Sequence, residues 1–537
     1  MGWWSPSRVS SVSHQQGLVP EIVALHQPLL LVLKEGALAA ARGGTLDFDG
    51  EQSAKGYAVA GYAPALPPEM LGDSTFCADH GIRYAYVAGA MANGIASTQL
   101  VEEMGRAGML GFFGAAGLEL ERVEAAIDHL ERALGNLPFG FNLIHSPNET
   151  GLEENLVALY LRRGIRLVEA SAYLRLTLPL VRYRVTGIGR DALGRVVVPN
   201  RVIAKVSRAE VAAQFFSPPP QEFLAELVRT REITPEQALL AETIPVAQDL
   251  TAEADSGGHT DNRPLVTLLP TMLALRERLQ GQYRYAQTLR VGAAGGLSTP
   301  GALAAAFSMG AAYVLTGSVN QACVESGSSD AVRAMLAQAE QADIAMAPAA
   351  DMFEMGVRVQ VLKRGTMFPM RAAKLYELYR MHPSLESLPE ADRNFVEKQL
   401  LRTTVEQAWQ NTRAFFATRD AAQVERAERD PKHRMALVFR SYLGLSSRWA
   451  NLGDASRKMD YQVWCGPAMG AFNEWTRGTF LEKPENRRVV LVAQNLLWGA
   501  ALHLRRQYLR AQGIQLPIGA AAEFPLEQPA LRRALNP

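Results

Sequence analysis

A short stretch of the chain places a histidine among glycines and acidic side chains. Residues 253 to 262 read EADSGGHTDN, so Gly257 and Gly258 directly precede His259. Three chemistries fit such a loop: a metal site, a hydrolase loop, or a loop that passes over a flat cofactor and aims the histidine at a substrate. No second histidine is near and no G-x-S-x-G motif is present, so we predict no metal and favour the third chemistry. The structural alternative is a histidine held by Asp255 or Asp261.

Two glycine loops later in the chain predict an anion site. The first carries Ala294, Gly295 and Gly296, and the string Ser-Thr-Pro that follows at 298–300 is typical of a helix start. The second carries the string Thr-Gly-Ser at 316–318. Backbone amides in two such loops, with a helix N-terminus behind them, favour phosphate. The alternative is that the glycines only form tight turns.

Two apolar runs end in residues that suit a flat ring. The first run ends with Gly89, Ala90 and Met91, where small residues allow backbone contact with a ring. Asn142 ends the third run and is either a donor to a ring carbonyl or a core amide bonded to backbone.

Lys205 lies in an otherwise apolar run, RVIAKVSR. A buried ammonium without a partner is costly, so an anion or a ring atom is expected near it. The alternative is a structural ion pair with Glu169 or Asp249.

These positions fall at the ends of short apolar runs that alternate with helical stretches. The runs span residues 84–91, 109–117, 138–146, 165–172, 201–208, 246–255, 289–296 and 312–318. Alternating βα units favour an α/β fold, and eight of them favour a closed (β/α)₈ TIM barrel over an open sheet. The active site of such a barrel lies at the carboxyl ends of its strands.

The rest of the chain divides around this barrel. Residues 1–80 are expected to be an irregular leader that packs on the barrel, which spans 81–350. Helical signals over 218–245 predict an insertion or lid between the fifth and sixth runs. Long amphipathic patterns predict a helical C-terminal region over 351–537.

Composition excludes several classes of function. The net charge of +1 argues against nucleic acid as the main partner. Cys77, Cys323 and Cys465 are far apart, which excludes a disulfide framework and fits a reducing cytoplasm. The N-terminus does not read as a signal peptide, and the most apolar stretch is too short to span a membrane. We therefore expect a cytoplasmic protein.

Longer strings carry a family resemblance. The strings are YVAGAMANGIAS, NLIHSP, EASAY, AKVSR, EADSGGHTDNRPL, TGSVNQACVESG, APAADMFEMGVRVQVLKRGT and DYQVWCGPAMGAFN. They resemble the trans-acting enoyl reductases of polyketide and polyunsaturated fatty acid synthases, within the 2-nitropropane dioxygenase-like (nitronate monooxygenase) FMN flavoproteins. The resemblance runs from about residue 60 to about residue 510, and residues 1–45 carry none of it.

The resemblance implies an FMN-binding barrel and an enoyl reductase that uses NADPH. Hydride would pass from NADPH through FMN to the β-carbon of an enoyl thioester held on an acyl carrier protein. His259 and Lys205 are the catalytic candidates: the histidine lies near the substrate, and the lysine contacts either the substrate or the flavin. The cofactor-binding candidates are Gly89, Ala90, Met91, Asn142, Lys205, Ser256, Gly257, Gly258, Ala294, Gly295, Gly296, Thr316, Gly317 and Ser318. A G-x-G-x-x-G fingerprint is missing, which fits a dinucleotide that binds transiently.

The expected partners are the acyl carrier protein and the modules of a polyketide or fatty acid synthase. A docking patch is predicted at Arg440, Arg448, Arg457 and Lys458, with a solvated charged face as the alternative. The helical tail is compatible with a homodimer. Two other functions remain open: a nitronate monooxygenase-type oxidase, and a non-catalytic docking subunit.

Overall fold

The N-terminal part of the chain forms a six-stranded antiparallel sheet. The computed structural model describes residues 2–7, 11–12, 17–48, 56–145, 150–516 and 523–536. The first elements are β1 (Trp3–Ser5), β2 (Ser11–Val12), α1 (Leu18–Val23), β3 (Leu29–Lys34), β4 (Ala37–Arg42), β5 (Thr45–Asp47) and β6 (Tyr57–Ala63), and the sheet order is β2-β4-β3-β6-β1-β5. The irregular structure expected here is therefore wrong. Strand β3 starts directly after Pro28, and Glu35 and Gly36 turn it into β4 with positive φ values of 52° and 77°.

Eight parallel strands close a barrel, as the apolar runs predict. The strands that follow β6 are β7 (Tyr86–Ala88), β8 (Leu110–Phe113), β9 (Gly140–Ile144), β10 (Leu167–Ser171), β11 (Gly189–Arg190), β12 (Val196–Val197), β13 (Arg201–Val206), β14 (Asp249–Glu253), β15 (Gly258–His259), β16 (Arg290–Ala294) and β17 (Val314–Thr316). The barrel order is β10-β13-β14-β16-β17-β7-β8-β9. Each predicted run contains one barrel strand, so the TIM-barrel prediction is confirmed; position 146 of the third run lies outside the described residues.

Helices connect these strands and cover the barrel. They are α2 (Ser74–His80), α3 (Thr98–Arg106), α4 (Leu120–Leu134), α5 (Thr150–Arg163), α6 (Leu178–Val185), α7 (Ala209–Phe215), α8 (Gln221–Arg229), α9 (Pro235–Ala241), α10 (Leu265–Tyr283), α11 (Pro300–Ser308), α12 (Ser318–Gln321) and α13 (Asp330–Ala337). On α4, the buried residues Val123, Ile127, Leu130 and Leu134 recur at helical spacing and face the barrel core.

The helical insertion is present, but it does not cover the barrel mouth. Helices α8 and α9 lie between α7 and β14, and their apolar side chains pack against Val181 and Val185 of α6. The chain then enters β14 at the amino end of the barrel, where Arg184 donates to the carbonyls of Asn200 and Pro245. Since a barrel mouth lies at the carboxyl ends of the strands, this placement contradicts a lid.

The amino end of the barrel is closed by a buried ion cluster. Asp249, at the start of β14, lies 2.6 Å from Nε of Arg290 and 2.9 Å from Nε2 of His80. Both Asp249 oxygens are thus occupied far from the mouth, so Asp249 is not the partner of Lys205.

Helices dominate the chain after the barrel, as expected. Strands β18 (Ile344–Pro348) and β19 (Arg358–Leu362) come first, followed by α14 (Phe368–Met381), α15 (Glu390–Phe395), α16 (Val405–Arg419), α17 (Ala421–Arg429), α18 (Pro431–Leu452), α19 (Ala468–Thr476), α20 (Val489–Ala511) and α21 (Gln528–Leu535). A π-helix covers 396–401, and 3₁₀ turns cover 68–70, 341–343, 455–460, 480–482 and 484–486. Strand β19 pairs with both β15 and β18, which joins the loop after β14 to this region. Among the described residues, no helix combines the length and apolar character needed to cross a bilayer.

Helix α20 connects the barrel with the N-terminal sheet. Gly499 lies against Pro300 at the start of α11, where an added Cβ would come within 2.6 Å of the proline ring. On the same helix, the buried Arg505 donates to the carbonyls of Ala24 and Gln27, each at 2.8 Å. Helices α14, α15, α16 and α18 instead share a separate apolar core with β18 and β19.

Candidate active site

The loops predicted to hold a cofactor lie next to one another at the carboxyl end of the barrel. Strands β14, β16, β17 and β7 are consecutive neighbours in the barrel order. The Ala254 N–H donates to the carbonyl of Ala294 at 2.8 Å, and the Gly89 N–H donates to the carbonyl of Thr316 at 3.1 Å. Four segments that are distant in sequence therefore form one rim.

The glycines of the loop after β16 have two different roles. A Cβ on Gly295, whose φ is 85°, would lie 2.6 Å from the carbonyl carbon of Ala254. Gly295 thus permits a close approach of two backbones, which is the tight-turn interpretation. A Cβ on Gly296 would meet nothing within 4 Å, so this glycine faces open space. The second glycine is the one that suits a ligand.

A buried hydroxyl without a partner lies directly after this loop. Thr299 caps α11 by accepting from the Ala302 N–H, and Pro300 occupies the first turn, as predicted. Ser298 is fully buried, and within the described residues its Oγ forms no hydrogen bond. An unsatisfied buried hydroxyl is costly, so a polar ligand at this loop is the simplest explanation.

The loop after β17 presents a glycine and a serine. A Cβ on Gly317 would meet nothing within 4 Å. The Ser318 hydroxyl accepts from the Gly466 N–H at 3.2 Å and keeps its own proton for another acceptor. Thr316 differs from the prediction, because its Oγ1 is bonded to the Tyr86 hydroxyl at 2.7 Å and to the Asn320 amide at 3.0 Å. Only its backbone reaches the rim.

Lys205 lies between two carboxylates inside the barrel. Its Nζ is 3.2 Å from Oε1 of Glu253 and 3.5 Å from Oε1 of Glu169. The proposed pairing with Glu169 is confirmed, whereas the second partner, Glu253, was not recognised as one from sequence. Burial alone would lower the pKa of Lys205, but the two carboxylates outweigh it and raise that pKa. Lys205 is therefore a permanent ammonium ion.

Glu169 connects this cluster to the loop after β7. It is fully buried, and its Oε2 accepts from the Ala90 N–H at 3.2 Å. Burial raises the pKa of Glu169, while Lys205 and the Ala90 amide oppose that rise. The Ala90 amide is thus held by a side chain of β10, so its orientation depends on Glu169.

Asn142 is bonded within the barrel wall. Its Nδ2 donates to the carbonyl of Glu169 at 3.2 Å and to the Ser171 hydroxyl at 2.9 Å. Both amide protons are used, so Asn142 matches the core-amide alternative rather than the donor to a ring carbonyl.

The loop after β7 packs closely against its neighbours. A Cβ on Gly89 would lie 2.5 Å from the Leu315 side chain, and the Met91 carbonyl lies against Gly114. Asn93 follows with a φ of 59°, and its side chain donates to the Ser447 hydroxyl of α18 at 3.1 Å. The C-terminal helices therefore contact the rim directly.

His259 forms an ion pair that the sequence does not reveal. Its Nε2 lies 3.1 Å from Oδ1 of Asp351, which belongs to the loop between β18 and β19. Burial alone would lower the pKa of His259, but the Asp351 carboxylate outweighs it and raises that pKa. The histidine is partly exposed, so it is accessible, and the raised pKa extends its protonated form to higher pH than an ordinary histidine.

The acidic neighbours of His259 in sequence have other partners. Asp261 accepts from Arg208 and Ser207, and these bonds hold the pKa of Asp261 at about 2. Asp255 accepts from the amides of Asn262 and Gln360, each at 2.9 Å. Neither is the partner of the histidine, so that alternative is wrong.

The loop 256–258 is enclosed by a segment of the C-terminal region. Ser256 donates to Glu253 at 3.4 Å, and Gly258, with a φ of 84°, leads into β15. A Cβ on Gly257 would come within 2.9 Å of the Cys465 backbone, and one on Gly466 within 2.8 Å of Gly257 N. Residues 465 and 466 thus form one wall of the candidate site. The sequences of the barrel loops do not predict this contact, because residues 465 and 466 lie outside the barrel.

The predicted basic patch is divided by the structure. Arg440 is buried and donates to the Ala350 carbonyl, and Arg457 is buried over the Trp449 ring with bonds to the carbonyls at 400 and 401. These two arginines are structural, so their docking role is wrong. Arg448 and Lys458 are exposed.

Comparisons with known families cover the barrel and part of the helical region. Residues 74–412 match the family described as nitronate monooxygenase. Residues 382–461 match the inserted helical domain of [acyl-carrier-protein] S-malonyltransferase.

Individual relatives belong to synthase systems. The chain is 50% identical over 443 residues to a polyunsaturated fatty acid synthase polypeptide of Thraustochytrium sp., covering 81% of this chain and 30% of that protein. It is 45% identical over 445 residues to the polyketide biosynthesis protein PksE of Bacillus subtilis, covering 82% and 58%. The chain thus spans less than two thirds of the length of these curated relatives.

A solved structure matches the fold over most of the chain. The enoyl reductase domain of MlnA, from the macrolactin biosynthesis cluster of Bacillus amyloliquefaciens, is 39% identical with a TM-score of 0.78, and the match covers 82% of this chain and 99% of that one. Together with the family match over residues 74–412, more than half of the chain, this shows that the protein belongs to the nitronate monooxygenase family.

Proposed function

We propose that this chain is an FMN-dependent enoyl reductase that acts in trans on α,β-unsaturated acyl thioesters of an acyl carrier protein, with NADPH as the electron donor. The observation that carries the proposal is the rim itself. The loops after β16 and β17, called the phosphate cradle, leave open space and an unpartnered serine hydroxyl that suit a phosphate. The ion-paired His259 and the buried Lys205 lie at the same end of the barrel. The relatives named above, which are synthase components and an enoyl reductase domain, support the same reaction.

The residues present fit FMN. Gly296 and Gly317 leave open space, the Ser298 hydroxyl has no partner in the described chain, and Ser318 has a proton to donate. These groups would hold the phosphate, and the Lys205 ammonium would lie beside the ring. When bound, FMN supplies hydride transfer between the nicotinamide and the β-carbon.

The proton that is added at the α-carbon must come from a side chain of this protein or from solvent. Reduction of the double bond adds a hydride equivalent from NADPH at the β-carbon and a proton at the α-carbon, so a donor is needed on the thioester side. Asp351 raises the pKa of His259 and so favours the protonated imidazole, and His259 lies on the loop after β14 at the barrel mouth. We assign the histidine to the α-carbon proton and to the oxygen of the thioester as negative charge develops there.

Lys205 is assigned a positioning role and not a direct catalytic one. Its ammonium lies between Glu169 and Glu253, so the cluster as a whole carries a net negative charge when both carboxylates are ionised. The lysine therefore offsets one of the two carboxylate charges and positions the Ala90 amide through Glu169. It is a positioning residue in this proposal.

The similar proteins support an acyl carrier protein as the partner that carries the substrate. The helical segment 382–461 matches a domain of an enzyme named for its action on acyl carrier protein, and the other relatives belong to polyketide and fatty acid synthases. An enzyme that meets such carriers in trans needs a mouth open to solvent, and the loop 256–259 is partly exposed.

The reaction is tested by anaerobic spectroscopy of the purified protein. We expect a yellow protein whose visible absorbance is bleached by NADPH and restored by an enoyl thioester on a carrier protein, without O₂. A nitronate monooxygenase-type oxidase, the function that the family description favours, would instead need O₂ for turnover. A protein that stays colourless with added FMN would support the docking-subunit alternative and exclude the proposal.

Replacement of Gly317 by alanine is expected to weaken FMN binding and leave the fold intact. The new methyl group meets no protein atom within 4 Å, and the φ of −129° is not in the left-handed region. Any loss therefore comes from the space reserved for the ligand, and we expect the FMN dissociation constant to rise about tenfold. Titration of apoprotein by flavin fluorescence measures it.

The matched control for this variant is Gly281→Ala in α10. Gly281 also has no atom within 4 Å of an added Cβ, but it lies near the end of its helix, away from the mouth. Equal FMN affinity in both variants would remove Gly317 from the cofactor site.

A further inference from the structure

An exposed strip of mixed apolar and basic character runs along helix α18 and the turn after it. Leu445, Arg448 and Leu452 are spaced three and four residues apart, so they share one face of the helix. The 3₁₀ turn 455–460 contributes Lys458 and Met459. The exposed fractions of Leu445, Leu452 and Met459 are 38%, 70% and 43%, which is high for large apolar side chains. These five residues are called the α18 strip.

The α18 strip lies beside the barrel mouth. On the buried side of the same helix, the Ser447 hydroxyl accepts from the Asn93 side chain, in the loop after β7. Three residues later, the Ala450 carbonyl accepts from the hydroxyl of Ser329, the cap of α13. A partner seated on the strip would therefore lie across α18, about one helix diameter of 10 Å, from the rim that carries the predicted cofactor loops.

The exposed charge of the strip is positive. Between residues 445 and 460, Arg457 and Asp460 are buried and lie 3.2 Å apart, and Arg371 also pairs with Asp460, so neither charge faces solvent. Asp454 caps the 3₁₀ turn by accepting from Ser456 and keeps its negative charge, so the strip is bordered by one anion beside its two cations. Within the described residues, Arg448 and Lys458 form no ion pair, so their charges face solvent.

We propose that the α18 strip is the docking surface for an acidic helix of the acyl carrier protein that delivers the thioester; this rests on the proposed function. Leucine and methionine side chains at the centre of a patch suit a helix with an apolar residue, and flanking cations suit carboxylates on both sides of that residue. Charge complementarity of this kind selects the partner and speeds its encounter. The strip thus gives the proposed enzyme a means of choosing carrier-bound over free thioesters.

The test compares the same enoyl group attached to two different thiol carriers. Steady-state kinetics are measured with the acyl group on the carrier protein and on N-acetylcysteamine, using Arg448→Glu/Lys458→Glu and, separately, Leu452→Ser. With the carrier-bound substrate we expect kcat/KM to fall about tenfold through KM. With the N-acetylcysteamine thioester we expect no change. Arg278→Glu, an exposed arginine near the far end of α10, is the matched control and should behave as wild type with both substrates.

Each other outcome contradicts the inference in a recognisable way. Unchanged kinetics with the carrier-bound substrate, or equal losses with both substrates, would overturn the docking role. Sedimentation of the wild type as a dimer that the double variant dissociates would assign the strip to a second copy of this chain instead. If the wild type reduces neither thioester, the proposed function fails, and the strip is not the cause.

Discussion

Replacement of His259 by alanine is expected to preserve bleaching by NADPH and to slow reoxidation by the enoyl thioester by about 10²- to 10⁴-fold. The imidazole is partly exposed on the loop over the mouth, and its Nε2 is bonded to Asp351 rather than to the phosphate cradle. Its removal therefore takes away the proton donor without disturbing cofactor retention. Single-turnover stopped-flow absorbance measures the two half-reactions separately. Loss of flavin, or equal slowing of both half-reactions, would contradict the assignment.

Asp351→Asn serves as the companion variant because it keeps the histidine and removes the charge beside it. Asp351 raises the pKa of His259 above its usual value, so the protonated donor persists to higher pH. The rate of the acceptor half-reaction should fall as pH rises through that raised pKa. In Asp351→Asn the same alkaline limb should move to lower pH. An unshifted pH profile would show that a group other than His259 gives the proton.

Lys205→Met is expected to lower the free energy of unfolding by about 3–5 kcal/mol. The substitution keeps the apolar stem but leaves Glu169 and Glu253 facing each other without the ammonium between them. Glu169 is fully buried, so its charge has no access to water. Urea unfolding followed by circular dichroism measures the loss.

The double variant Lys205→Met/Glu169→Gln separates charge from shape. With the buried carboxylate neutralised, much of the lost stability should return, because an uncompensated charge is the cause. The side-chain amide introduced at position 169 would still accept from the Ala90 N–H through its oxygen. A double variant as unstable as Lys205→Met alone would mean that packing, not charge, accounts for the effect.

The barrel was predictable because its signal is local. Strands buried on both faces read as short apolar runs, and every one of the predicted runs contains a strand. The N-terminal sheet was missed because its signal is weaker. The apolar segment that becomes β3 is preceded by Pro28 and polar residues, and β4 is built from alanines, which have low strand propensity. Pairing with partners distant in sequence makes them strands: β3 pairs with β6, and β4 pairs with β2 as well as with β3.

The candidate site was predictable where it depends on strand ends and not where it depends on contacts between distant parts of the chain. Gly296 and Gly317 lie where loops of the last two units place them, and Glu169 lies on the strand next to that of Lys205, two positions away in register, with its Oε1 3.5 Å from the lysine Nζ. Asp351 comes from a loop outside the barrel, and nothing near His259 in sequence indicates it. The position of the insertion 218–245 was ambiguous for the same reason, because helical periodicity carries no information about which end of a barrel a segment covers.

The contact between Gly257 and the segment at Cys465 and Gly466 affects when the site can assemble during protein synthesis. During synthesis, all eight strands leave the ribosome well before this segment does. A nascent chain with a finished barrel still lacks the amide that bonds to Ser318. The site proposed for FMN is therefore expected to be complete only after residues 465 and 466 have been synthesised.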